Sequence, residues 1–230
     1  MIITSPKKKT NIRITVCNIE QKSQIKYLGV FIDENLKWDA QLQHINNKIT
    51  KNIGILFKLR YYVPMSTLKQ LYYTLIYPYL TYGLMSWGTA YQTKLNKIKI
   101  SQNNCIRCIF FANKRESPTP YFTLLDILKL ENVFKLKIGT LVHKLQYRKK
   151  DTPPALYDLA QPASAVHQYN TRYAFNQNLH RPFSRTNYGL ARFSVMASQI
   201  WETIPMKIKC LAFNSFKKEY KLFLLESQAC

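Results

Sequence analysis

From Asp39 onward the apolar residues fall on a helical period, and that period leaves little freedom in how the chain can fold. Leu42, Ile45, Ile49, Ile53, Leu56 and Leu59 recur at intervals of three and four, which sets them on one stripe of a helix. Asp39 stands where an N-cap belongs, and Lys48, Lys51 and Lys58 fall off the stripe. Pro64 closes the segment, and Thr67, Leu68, Lys69 and Gln70 read as a capping box that opens the next helix. Leu68, Leu71, Tyr72, Leu75 and Tyr79 form its expected core face. Lys69, Tyr73 and Tyr77, four apart, form another, and Pro78 predicts a kink. A third helix is predicted over 93–110, with Leu95, Ile98, Cys105, Ile106 and Ile109 inward and Lys94, Lys97 and Arg107 off that face.

Ahead of this lies β patterning. Residues 11–17 alternate, with Ile12, Ile14 and Val16 on one face, and 25–33 form a second extended run rich in β-branched and aromatic residues. Gly29 within it predicts a bulge or a close backbone approach. Two strands do not stand alone in water, so they must pack on the helices that follow or on something else. Later, Thr119 and Pro120 open a short helix to about residue 128, and another is predicted over 131–147. Lys149, Lys150, Asp151, Thr152, Pro153 and Pro154 read as a linker, with two further helices predicted over 192–203 and 215–225. The expected fold is therefore mainly α: an N-terminal β-hairpin over 1–38, a helical bundle over 39–148, and a linker with a smaller, partly irregular α region over 149–230.

Charge narrows the function. The 76 residues between Asp39 and Glu116 contain eleven Lys and Arg, eight Tyr and Trp87, but no Asp or Glu. An ordinary surface mixes both signs, because a one-signed field repels itself. Cations and aromatics without acids suit a surface opposed to a polyanion, where lysines displace counterions from phosphates. The plain alternative is a basic protein whose acids happen to lie elsewhere. Over the whole chain the net charge is +22.

Other chemistries find little support. With six glycines and neither GxGxxG nor GxxxxGK[ST], no phosphate loop is written here. Cys105 and Cys108 make a lone CxxC within a helical pattern, which reads as buried thiols rather than a zinc site. His44, His143, His167 and His180 are scattered and read as structural. The apolar run 68–88 holds Lys69, Gln70, Pro78 and five tyrosines, so it reads as a buried helix and not a membrane span. With no leader pattern, the chain is expected inside the cell, nuclear or cytoplasmic. Two-metal nucleotidyl transfer needs converging carboxylates, which polymerases usually supply as adjacent aspartates on a tight turn. The adjacent acids here, Asp33 and Glu34, read as a solvated turn.

The run from Lys26 through Tyr27, Leu28, Gly29, Val30, Phe31 and Ile32 to Asp33, followed by Leu36, Lys37, Trp38, His44 and Ile45, resembles the segment after the catalytic palm in jockey-like non-LTR retrotransposon reverse transcriptases. The resemblance continues in order through residues 53–60, Pro64, 71–72, 75–80, Tyr82, Gly83, Trp87, Gly88, Gln102 and 105–109. It resumes at 167–172, Pro182, Arg185, Thr186, Trp201, Pro205 and 213–218. It implies that Tyr27, Leu28 and Gly29 match a primer grip, and that 39–111 match a thumb whose basic faces track a template–primer backbone. Lys48, Lys51, Lys58, Lys69, Lys94, Lys97 and Arg107 are the expected nucleic-acid-binding residues, with an RNA–DNA hybrid or duplex as partner. The paired aspartates of that family, its fingers and most of its palm have no counterpart here. The chain is then expected to bind no cofactor, Mg²⁺ belonging to a full-length polymerase, and to catalyse nothing alone. The competing reading is an independent, co-opted nucleic-acid-binding or interaction protein.

Overall fold

The computed structural model describes residues 22–166, 169 and 171–229. It is mainly helical with an antiparallel two-stranded hairpin at its start, as the periodicities predict. The predicted strand over 11–17 lies outside the described residues.

The run 25–33 is not one strand. It folds back on itself as β1 (Gln24–Tyr27) and β2 (Val30–Asp33), with Gln24 opposite Asp33 and Tyr27 opposite Val30. Leu28 and Gly29 form the turn at φ 45° and 80°. A two-residue turn with both φ positive matches the right-handed twist of the strands it joins, so Gly29 serves the turn rather than a bulge.

α1 (Asp39–Leu59) follows. Its start is set from outside the helix: the Asp33 carboxylate accepts the backbone N–H groups of Lys37 and Trp38, each at 2.7 Å. Asp33 is thus a structural brace and not a solvated residue, and Trp38, with φ 63°, takes the cap position expected for Asp39. α2 (Met65–Leu71) begins directly after Pro64, two residues ahead of the predicted capping box, which is unused.

The chain then widens into a π-helical turn over Tyr72–Ile76 before α3 (Tyr77–Thr81) and α4 (Leu84–Trp87). Pro78 has no N–H to offer the carbonyl four residues back, and a π turn just before it relieves that mismatch. The buried face changes in consequence. Leu68, Tyr72, Ile76, Leu80 and Leu84 are buried, each four residues from the last, whereas Leu71, Leu75 and Tyr79 are only half-buried. A plain α-helix would drift about 40° at each such step.

α5 (Gln92–Ile109) lies along α1 in the same direction: Lys94 meets Asp39, Ser101 donates to Asn46 at 2.6 Å, and Arg60 reaches the Cys108 carbonyl. Asn52 donates to the Leu75 carbonyl and Gln102 to the Tyr72 hydroxyl, fixing the π turn against both long helices. Cys105 and Cys108 are buried free thiols on α5, as expected, and burial raises the pKa of both.

After α6 (Thr119–Leu124) come α7 (Leu130–Tyr147), 3-10 turns at Lys149–Asp151 and Pro154–Ala160, and α8 (Ala163–Val166), α9 (Arg172–Phe175) and α10 (Asn187–Leu190). The chain ends with α11 (Phe193–Glu202), α12 (Met206–Lys209) and α13 (Phe213–Ala229). It divides into two compact units, Met1–Tyr121 and Phe122–Cys230, so α7 belongs to the second rather than to the expected bundle over 39–148. There α7 and α13 run antiparallel. Asn132 donates to the Leu224 carbonyl, Gly139 faces Tyr220, and His143 stacks on Phe216 at 4.2 Å. Trp201 of α11 completes this aromatic core.

Candidate nucleic-acid interface

Tyr27 and Leu28 stand at the exposed hairpin tip, 61% and 74% accessible. What holds the tip is a second motif far along the chain. The Tyr82 hydroxyl donates to the Leu28 carbonyl, and the Trp87 indole N–H donates to the Tyr82 carbonyl at 2.8 Å. Gly83, at φ 62°, lets Val30 come so near that an added Cβ would lie 3.0 Å from Val30 Cγ2. From β2, the Phe31 N–H donates to Gln41 Oε1 at 3.0 Å and the Phe31 ring lies against His44. Four stretches picked out by resemblance, joined by Gln41, therefore form one packed constellation that presents the tip. The sequence named its members without showing that they touch.

The cations divide into two sets. Lys48, Lys51 and Lys58 are exposed on α1, and Lys51 and Lys58, two turns apart, point away from its buried stripe. Lys94 and Lys97, on successive turns of α5, line a cleft of about 330 Å³ with Asp39, Leu42, Gln43, Asn46 and Asn47 of α1. Within it the Lys94 ammonium pairs with the Asp39 carboxylate at 2.5 Å, so part of its charge is spent inside the protein. Lys69 is half-buried on α2. Arg107 is turned toward the loop after α5, where its Nε donates to the Glu116 carbonyl at 2.8 Å and its Nη1 to Asn104. His44 feels the same positive field. Partial burial first, then Lys48 and Lys26, lower its pKa.

Two features had no motif to announce them. Arg60 leaves solvent to lie among Phe57, Tyr61 and Phe111, with its guanidinium 4.1, 4.9 and 4.4 Å from their ring centres. The four-residue spacing of Phe57 and Tyr61 was the signal available for it. In the second unit Lys209 is 2% exposed, beside a cavity of about 440 Å³, and donates to Asn178 Oδ1 at 2.8 Å and to the Asn176 carbonyl. His143 is buried with Nε2 against the Leu211 carbonyl at 2.9 Å, which fits a structural histidine.

Among the described residues no group of three or more His, Cys, Asp or Glu could hold a metal ion, and Asp33 is committed to the backbone of α1's entry. No helix among the described residues is long and apolar enough to cross a membrane.

Over 94 residues, 40% of its length, the chain is 26% identical to a probable RNA-directed DNA polymerase from transposon BS of Drosophila melanogaster. That match supports a reverse-transcriptase relationship. The matched stretch spans about a tenth of that polymerase, 10% of its length. No protein-family model and no solved structure matches the chain.

Proposed function

We propose that this chain is a nucleic-acid-binding portion of a retroelement reverse transcriptase, jockey-like, with the helices over 39–111 acting as its thumb. The observation that carries this is the acid-free window: its sequence folds into the parallel pair α1 and α5 and leaves Lys48, Lys51, Lys58 and Lys97 exposed. Phosphates placed along these lysines release counterions, and such contacts fix position without reading bases. The tip at Tyr27, Leu28 and Gly29 then approaches a primer strand, with Gly29 exposed and the Tyr82 ring behind it on the side a Cβ would take. Transposon kinship supports the class of partner, an RNA–DNA hybrid or duplex. The paired aspartates that activate a primer hydroxyl have no counterpart here, so this portion positions a substrate and does not extend it.

Fluorescence anisotropy with a labelled duplex and a hybrid tests the reading. Both bind with similar affinity across sequences, and binding falls steeply between about 50 and 200 mM salt. Lys48→Ala with Lys51→Ala weakens every sequence alike and lowers the log–log salt slope by about 2, near 0.9 per phosphate contact. Affinity indifferent to salt would overturn the reading. Primer extension with Mg²⁺ stays at the no-enzyme level, and extension lost in Asp33→Ala would relocate the active site to the brace.

A further inference from the structure

At the C-terminal ends of α1 and α5 the first unit displays an open aromatic cluster. Phe57 is 50% exposed, Tyr61 63%, Tyr62 85% and Phe111 51%. Phe57 meets Tyr61 edge-on at 6.4 Å, and Tyr61 meets Phe111 edge-on at 5.3 Å. The Arg60 guanidinium sits against all three, bonded to the Tyr61 hydroxyl at 2.8 Å. Edge-to-face packing around a cation holds the rings in place, with the guanidinium against one side of each and about half of each residue still exposed.

Phe111 is the telling member. The Ala112 N–H bonds the Arg107 carbonyl at 3.0 Å and the Phe111 N–H bonds that of Cys108 at 3.4 Å. This is the Schellman closure of a helix, whose left-handed residue is ordinarily glycine. Here that residue is phenylalanine at φ 56°. A bulky side chain there strains the backbone, and the strain brings half-exposed apolar surface with it. Glycine would relieve that strain; phenylalanine instead brings a half-exposed ring to Tyr61 and Arg60.

Because no carboxylate lies between Asp39 and Glu116, the occupant that suits this patch is anionic, and its exposed aromatic surface suits flat partners. We propose that Phe57, Arg60, Tyr61 and Phe111 form a stacking platform for the unpaired bases of a nucleic-acid strand. Every base has a π face, so such a platform is tolerant of sequence. The inference rests on the nucleic-acid reading above and adds a contact to bases where that reading has only phosphates.

The test uses the full chain with three probes of equal length: a thymidine oligonucleotide, an abasic strand with the same phosphates, and a blunt duplex. The thymidine strand binds roughly tenfold or more tightly than the abasic one. Phe111→Gly, which suits the left-handed position and keeps the fold, lowers thymidine binding about tenfold and leaves abasic and duplex binding unchanged. Tyr61→Ser acts in the same direction. Equal binding of thymidine and abasic strands, with the duplex still bound, overturns the platform alone. Failure of all three probes overturns the nucleic-acid reading and the platform with it. If instead the chain self-associates and Phe111→Gly abolishes that association without touching thymidine binding, the patch is a contact between copies and the proposal falls.

Discussion

Lys209 keeps an ammonium where water hardly reaches. Burial lowers its pKa from the ordinary 10.5 to about 8, with Glu202 and then Cys210 acting in the opposite direction. Between those values the unfolded chain holds a proton that the folded chain has released. The fold therefore gains stability as pH rises from about 8 to 10.5, and below 8 the whole cost is borne. Relative to Lys209→Met, the wild-type urea midpoint climbs over that range by an amount worth roughly 1–3 kcal/mol. A constant difference between the two proteins would show that Lys209 titrates as if exposed. His44 gives the matching test of the first unit. Lys48 and Lys26 help to lower its pKa, so a bound polyanion raises it, visible as a shifted imidazole titration by NMR. These residues differ in how far the sequence exposes them. His44 lies within a recognised stretch, while Lys209 is one lysine among many and becomes special only through Asn176, Asn178 and Trp201, brought to it by folding.

Among the elements, the long helices were legible because their apolar stripes are regular: α1, α5, α7 and α11 lie within a residue or two of expectation, and α13 begins and ends a little beyond it. The misplaced features are those set from a distance. The capping signal at Thr67 was outweighed by Pro64 at the helix entry, and Asp39 was displaced as cap by Trp38 and the Asp33 brace. Gly139 shows what a single small residue does for such a contact. A Cβ there would stand 2.5 Å from Tyr220 Cε1 and 3.3 Å from Ile204 Cδ1. Tyr220 is fully buried and cannot swing out, so Gly139→Ala forces α7 and α13 apart. A loss of about 1–3 kcal/mol is expected in denaturant unfolding, despite the better helix propensity of alanine. Unchanged stability would mean that the two helices slide freely.

For the whole molecule, composition told the class of fold but not its division. The Lys and Pro cluster at 149–154 looks like a boundary, yet compactness is decided by the pairing of α7 with α13, far apart in sequence and invisible to local signals. The division matters for charge. The first unit carries 18 Lys and Arg against 5 Asp and Glu, net +13, and the second 16 against 7, net +9. Both carry a large net positive charge, so each repels itself at low salt. Raising NaCl from about 20 to 200 mM should lift the melting temperature by a few degrees, as screening shortens the Debye length to less than 10 Å. A melting temperature that ignores salt would mean that the charges are already compensated within each unit.

The π turn at Tyr72–Ile76 has a consequence of another kind. It accommodates one residue more than an α-helical turn, and everything from Pro78 to Trp87 follows it. Removing one residue, Thr74 for instance, would close the turn to an ordinary helix and keep the bearing of the segment beyond it, whereas one further insertion would swing that segment through about 100°. Tyr82 and Gly83 would then face away from Leu28 and Val30, and the hairpin would lose its seat. Over this stretch spacing is as binding as identity: substitutions on the solvent side are tolerated, and a further lengthening by one is not.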